Sequence, residues 1–413
     1  MHTFTLLFLL MFVLSLALRF WLSSRQIAHI RQHRSEVPEA FADKISLEEH
    51  QKAADYTTAK TRFGRLPLFY DAGLLLIWTL GGGLEWLDQN VISMGFSPIM
   101  TGIAVMLAFS LISAALDLPF SIYTTFVIEE RFGFNNTTVK TFIIDMVKGT
   151  TLGLAIGVPL LYAILWLMEK MGDMWWIYTW LLISGFSILM MWIYPTWIAP
   201  IFNKFEPLEE GDTLSRIKNL LERCGFSSDG VFVIDGSKRS SHGNAYFSGF
   251  GRNKRIVFYD TLLKMLSDDE LEAVLAHELG HFKKKHIIKS IMISFATTLV
   301  GLAILAWLMK NEWFYNALGI STASTYMALL LFTIISPVFT FVLSPIMSLF
   351  SRKNEFEADA FAAEQTDAQH LIKALVDLYR ENASTLTPDP VYSAFYDSHP
   401  PAPVRIAHLN SQA

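Results

Sequence analysis

One nine-residue run carries more chemistry than any other part of the chain: Val274-Leu275-Ala276-His277-Glu278-Leu279-Gly280-His281-Phe282. It reads His-Glu-x-x-His. On a helix, residues four apart share a face. Both imidazoles can then converge on one metal ion, and Glu278, one step on from His277, can reach a metal-bound water as general base. With this chain's His and Glu content, roughly 0.01 chance matches are expected over its length. Asp268-Asp269-Glu270-Leu271 precedes the run, and no proline breaks it.

Zinc needs a third protein ligand if a water is to hold the fourth position. The single cysteine, Cys224, rules out both an internal disulfide framework and a cysteine-based zinc site. It reads as a packed thiol, so His and carboxylate must bind the metal. The candidate segment is Ser351-Arg352-Lys353-Asn354-Glu355-Phe356-Glu357-Ala358-Asp359-Ala360-Phe361-Ala362. Glu355 and Asp359 are four apart on an expected helix. One carboxylate can bind zinc while the other holds a ligating His by its free ring N–H. The expectation is one zinc per chain, on His277, His281 and Glu355, with Asp359 behind a ligand and Glu357 pointing elsewhere.

These residues need elements to hold them. Of 413 residues, 52% are hydrophobic and 17% charged, too apolar for one ordinary soluble domain. A net charge of −5 gives no case for nucleic acid. Seven stretches are long enough to cross a bilayer: Thr5–Leu22, Leu66–Leu87, Ile99–Ile122, Thr150–Leu167, Met174–Ile198, Ile287–Met309 and Tyr326–Phe350. The first lacks a basic amino end and a small-residue cleavage site, so it reads as an uncleaved anchor. Arg25, Arg31, Arg34, Lys44, Lys52, Lys60, Arg62 and Arg65 fill the first connection, whereas residues 90–98 hold no Lys or Arg. Positive loops stay inside, which puts the N-terminus outside and the C-terminus in the cytoplasm. Asp71, Glu85, Asp88 and Asp117 fall in or near spans and hint at a hydrated interior.

The expected fold is a mainly α-helical multi-pass membrane protein with a small β-sheet. Residues 1–198 form a five-span part, and residues 199–413 a metallopeptidase part with two further spans. In its soluble block, Thr213–Cys224 reads as helix and Val231–Asp235 as strand. Ala245–Phe250 and Arg255–Tyr259 read as a hairpin turning at Gly251-Arg252-Asn253-Lys254. Leu262–Lys284 reads as one metal-bearing helix, and residues from Ser351 as a second soluble block, helical until Pro388. The metal helix runs into the sixth span and Glu355 follows the seventh. The zinc therefore lies at the inner membrane face, where substrates would themselves be membrane-bound.

These residues resemble one family, the Ste24-type CAAX prenyl proteases, zinc metallopeptidases with seven spans. Glu129-Glu130-Arg131-Phe132-Gly133-Phe134-Asn135 resembles the family's N-terminal signature, and Ala199-Pro200-Ile201-Phe202-Asn203-Lys204-Phe205 the start of its catalytic part. Similar too are Ser237–Phe247, the metal motif, the Glu355–Asp359 stretch, and Ser398-His399-Pro400-Pro401 with Arg405. The resemblance implies a zinc on His277, His281 and Glu355, with Glu278 activating water. It implies that Asn244, Ala245, Tyr246 and Phe247 align the peptide by edge pairing. His399 would help stabilise the oxyanion, with Arg405 supporting that region. It further implies seven spans around a water-filled chamber, and removal of three terminal residues from prenylated Cys-a-a-X proteins.

The reading is a membrane-embedded zinc endopeptidase acting on lipidated or otherwise membrane-associated polypeptides, a monomer in the bilayer. With no retention signal at Asn410-Ser411-Gln412-Ala413, a bacterial inner membrane is expected over the endoplasmic reticulum. A quality-control peptidase without prenyl preference is the alternative within the class. A transporter with a regulatory metal site is the alternative outside it, and Glu278 argues against that one, because a transporter needs no base there.

Overall fold

The computed structural model describes residues 2–248 and 254–411. The protein is mostly helical, with one four-stranded sheet. Six helical segments are long and apolar enough to cross a membrane: Thr3–Gln32, Pro98–Phe132, Val139–Lys170, Gly172–Phe202, His286–Leu308 and Thr325–Gln365. The seventh expected span is a broken one. Leu47–Trp78 and Gly83–Ile92 meet at 53°, so Leu66–Leu87 is not one helix. The break is chemical. Residues Gly81, Gly82 and Gly83 follow Thr79, and Gly82 has φ 78°, a left-handed conformation glycine adopts without penalty. Gly319 packs on the break, where a Cβ would stand 2.5 Å from Thr79 O.

That break moves two of the four intramembrane carboxylates into structural roles. Asp88 is buried and accepts a hydrogen bond from Tyr326 Oη at 2.7 Å. Glu85 accepts one from the Ser321 backbone N–H at 3.0 Å. Glu85 thereby ties the short helix to the loop before the last span, and Asp88 ties it to the first turn of that span. Asp71 and Asp117 stay exposed.

The last apolar stretch also departs from expectation. Thr325–Thr340 carries Pro337, and a tight turn at Phe341–Leu343 leads into Ser344–Gln365. No boundary exists at Ser351, so the helix that leaves the apolar region is the helix that bears Glu355.

The sheet has the order β1-β2-β4-β3. β1 is Phe205–Pro207, β2 Val231–Ile234, β3 Ala245–Ser248 and β4 Arg255–Tyr259. β2 and β4 run parallel; β1 and β3 are antiparallel to their neighbours. Gly249, Phe250 and the turn residues Gly251, Arg252 and Asn253 of the expected hairpin lie outside the described residues. β4 packs into a core with Leu271, Leu275, Ala276 and Leu279 of the metal-bearing helix, and with Leu371, Leu375 and Ile406. Phe41 and Ile45 join the same core. The basic first connection is thus no free loop: its helix Leu47–Phe63 opens on a Ser46–Glu49 capping box and is folded with the soluble part.

Candidate metal centre and active site

The expected helix Leu262–Lys284 is two helices. Asp260–Met265 ends at Leu266, and Asp268–Lys283 starts afresh at Ser267. The Ser267 N–H donates to Glu270 Oε2 at 2.7 Å, half of a capping box. The apolar positions of the second helix go into the core, and His277 and His281 leave it on one face.

The partner helix is Ser344–Gln365, and Gly280 sets how closely it comes. A Cβ at Gly280 would stand 2.9 Å from Ala358 Cα and 3.0 Å from Ala358 O. Those are backbone atoms, which no rotamer change can move aside. The glycine inside the motif therefore lets Glu355 reach the two histidines.

His277 Nε2 and His281 Nε2 are 3.2 Å apart. Glu355 places Oε2 3.5 Å from the first and Oε1 3.3 Å from the second. One ligand atom from each residue lies within 4.8 Å of the others. His399 Nδ1 is 2.6 Å from Glu355 Oε2, a buried oxygen with no hydrogen-bond donor assigned to it among the described residues. Two imidazole nitrogens and a carboxylate oxygen turned on one point fit a divalent cation of borderline softness.

Each histidine is held from behind by a different carboxylate. His277 Nδ1 lies 2.8 Å from Asp359 Oδ1. Arg405 grips Asp359 with a fork: Nε donates to Oδ2 at 2.8 Å and Nη2 to Oδ1 at 2.5 Å. Burial works against the Arg405 charge, but Asp359 outweighs it and raises its pKa. His281 Nδ1 lies 3.0 Å from His286 Nδ1, and His286 Nε2 lies 3.0 Å from Glu357 Oε2. Lys289 Nζ is 3.7 Å from the same carboxylate. Sequence reasoning missed His286, and it set Glu357 aside as pointing elsewhere; Glu357 does point away from Glu355, but toward this second chain. The spacing His281-x4-His286 was the available signal. Its geometry depends on Lys285, which takes φ 60° between the two helices and folds His286 back on His281.

Glu278 is half-buried beside the ligands, and its side chain has no hydrogen-bond partner among the described residues. His399 is 63% exposed, so it reaches the centre from a solvent-filled side. Asn244 is exposed; its Oδ1 accepts from Ala245 N–H at 2.8 Å and its carbonyl from Tyr259 N–H at 3.0 Å. Ala245, Tyr246 and Phe247 lie on β3, which pairs with β4 alone. Among the described residues its other edge is open.

The stretches that resembled a family come together. Arg239 forks onto Asp145 at 2.7 and 2.9 Å and donates to Phe202 O and Asn203 Oδ1. Phe134 stacks on His242 at 4.3 Å between ring centres. Tyr56 Oη donates to Glu129 at 2.7 Å. Glu129–Asn135 and Ser237–Phe247 are therefore the seam between membrane part and soluble part. A cavity of about 910 Å³ opens beside the seam, running from His399 to the helices Thr3–Gln32, Leu47–Phe63 and Arg65–Trp78.

A His-Glu-x-x-His helix packed on a Glu-bearing helix that itself emerges from an apolar bundle defines a membrane-embedded metallopeptidase. Comparison with known proteins agrees. Residues 26–204 match the family described as CAAX prenyl protease N-terminal, five membrane helices, and residues 207–413 match peptidase family M48. CAAX prenyl protease 1 of Saccharomyces cerevisiae is 37% identical over 94% of this chain and 91% of its own length. The homologue from Arabidopsis thaliana is 36% identical over 91% of each, and the human homologue 32% over 95% and 92%. The crystal structure of S. mikatae Ste24p superposes with a TM-score of 0.92 at 34% identity, covering 99% of both chains. The chain belongs to peptidase family M48, among the CAAX prenyl proteases. It is a multi-pass membrane metalloendopeptidase, and the transporter alternative loses its basis.

Proposed function

We propose that the chain holds one zinc ion on His277, His281 and Glu355 and cuts lipidated, CAAX-type polypeptides near their C-terminus. The observation that carries this is the convergence of those three ligand atoms beside a free Glu278 and an open strand edge. Zinc so bound supplies a Lewis acid for the scissile carbonyl and an acidified water. Glu278, whose carboxylate has no partner among the described residues, would serve as the base that takes up a proton from the attacking water and passes it to the leaving amine. β3, from Ala245 to Phe247, holds the substrate extended by backbone pairing, with Asn244 at its head. His399, exposed and able to swing from Glu355, donates to the developing oxyanion. Asp359 and Arg405 keep His277 in the tautomer whose Nε2 is free to ligate.

The names of the relatives favour CAAX substrates over a quality-control role without prenyl preference. The protein works as a monomer; the basic first connection supports an N-terminus outside and a C-terminus in the cytoplasm. The relatives named above are eukaryotic and give a bacterial inner membrane no support. Exposed Asp71 and Asp117 fit spans that border a hydrated chamber. The test is to incubate the purified protein with farnesylated and unmodified forms of one Cys-a-a-X peptide and map products by mass spectrometry. Release of the three terminal residues from the farnesylated form is expected. Cleavage of neither form would sink the proposal; equal cleavage of both would support the quality-control alternative.

A further inference from the structure

The cavity beside His399 has a wall that the peptidase mechanism does not explain. Arg19 and Arg65 line it, and neither pairs with a carboxylate among the described residues. Arg65 donates only to hydroxyls, from Nε to Ser23 Oγ at 2.9 Å and from Nη2 to Ser24 Oγ at 2.9 Å. Arg19 lies over the Phe341 ring at 3.8 Å, and its Nε reaches Ser15 Oγ at 3.4 Å. The wall does hold carboxylates, Asp71 and Asp397, but the two arginines do not turn to them. Lys60 adds a third cation, partly engaged by Tyr56 and Glu129.

A guanidinium on an apolar helix is costly unless water or an anion satisfies it. Two such groups without a carboxylate partner, with Arg65 Nη1 and both Arg19 Nη atoms left without an acceptor among the described residues, stand on the wall of a space reached by His399 and make a site for an anion. The cavity volume lies within the range for small-ligand pockets, about 300–1,000 Å³, so it accommodates a short peptide.

We infer that Arg19 and Arg65 bind the C-terminal carboxylate of the substrate, so that the segment beyond the scissile bond lies in this cavity. This rests on the peptidase reading above and deepens it. A chain that enters from β3 and passes the metal ends among these residues. A carboxylate anchored there fixes how many residues lie beyond the cut, so the enzyme measures its site from the end of the chain. The shared chemistry with a lipid phosphate is plain; continuity with His399 favours the peptide end.

The test needs no mutation at first. A farnesylated Cys-a-a-X peptide and its C-terminal amide are compared on the wild-type protein in detergent. Amidation removes the charge and leaves everything else. We expect kcat/KM to fall about ten- to a hundred-fold, mainly through KM, as for loss of a charged hydrogen bond. In Arg65→Gln and Arg19→Gln the preference for acid over amide should shrink toward one, with zinc content unchanged. Arg65→Lys keeps the charge but not the fork, and should retain part of the preference. A peptide lengthened by one residue should be cut poorly or at a shifted bond.

Equal cleavage of acid and amide by the wild type overturns this site while leaving the proposed function intact. Cleavage of neither overturns both. If the arginine variants slow acid and amide equally and lose binding of phosphatidylglycerol, the arginines serve a lipid headgroup and the inference fails.

Discussion

Replacing His286 by leucine should weaken zinc binding while leaving the fold intact. His281 can ligate through Nε2 only if its proton sits on Nδ1. That Nδ1 faces His286 Nδ1 at 3.0 Å, which must then accept, so the His286 proton lies on Nε2 toward Glu357. The three groups have one consistent proton arrangement, and it presents a lone pair to the metal. A leucine side chain there would keep the bulk and remove the acceptor. A buried donor left without a partner costs about 1–3 kcal/mol, which at about 1.4 kcal/mol per tenfold is a loss of roughly 5- to 140-fold in zinc affinity. This agrees with the roughly 10- to 100-fold typical of groups behind a metal ligand. Asparagine should rescue most of the loss, because its carbonyl oxygen can accept where Nδ1 did. Glu357→Ala should cost less, since that side chain is 33% exposed and water can replace it. The assay is competition for zinc against a chromophoric chelator, with thermal unfolding followed alongside. Zinc affinity within about twofold of wild type in His286→Leu would refute the relay, being smaller than any unpaired buried donor allows; so would an equal loss in the leucine and asparagine variants.

Four further outcomes are expected. Glu278→Gln should keep its zinc by elemental analysis and lose proteolysis, since it removes a base and no ligand; zinc loss would move Glu278 into the ligand set. Gly280→Ala drives a methyl into the Ala358 backbone at 2.9 Å, so it should cost about 1–3 kcal/mol of stability and also lower zinc content, which Gly301→Ala, with nothing closer than 3.9 Å, should not do. Lys285→Gly relieves a left-handed residue and should raise the unfolding midpoint, by about 1 kcal/mol in stability; a lower midpoint would show that the lysine side chain matters more than its backbone. Glu270 titrates below its ordinary value, because the Lys373 and Ser267 hydrogen bonds outweigh burial. Its contribution is therefore present above the usual glutamate pKa and fades as pH falls through the lowered folded value, so the stability gap to Glu270→Gln should be about 1 kcal/mol at neutral pH and close in acid.

What could be read from the sequence was whatever local spacing decides. His277 and His281 share a face because four residues make about one turn, and Glu355 and Asp359 for the same reason; no tertiary knowledge is needed. The spans follow from length and apolarity. What could not be read depends on breaks and on partners distant in sequence. Leu66–Leu87 is apolar enough to read as one span despite Asp71 and Glu85, and only the conformations of Thr79 to Gly83 turn it into two helices, after which Glu85 and Asp88 meet Ser321 and Tyr326 more than 200 positions away. The break at Leu266 was marked by Ser267 and Glu270, a capping box inside a run that otherwise reads as one helix. Phe41 and Ile45 look like loop apolars until the core that holds Ile217, Phe258 and Leu262 closes over them.

The metal centre shows the same division most sharply. The site residues come as two local pairs, His277 with His281 and Glu355 with Asp359, but the distance between the pairs is set by Gly280 against Ala358, a contact no spacing rule contains. The orientation of the two histidines is set by two different devices. Asp359 with Arg405 reaches His277 through the C-terminal helix, and Glu357 with His286 reaches His281 through a strained turn at Lys285. Both carboxylates sit on the helix that delivers Glu355. One helix thus carries the proposed third ligand and the carboxylates that back both of the proposed histidine ligands. Because the same helix follows directly on the last apolar span, Ser344–Gln365 is the element that joins the membrane part to the proposed metal site.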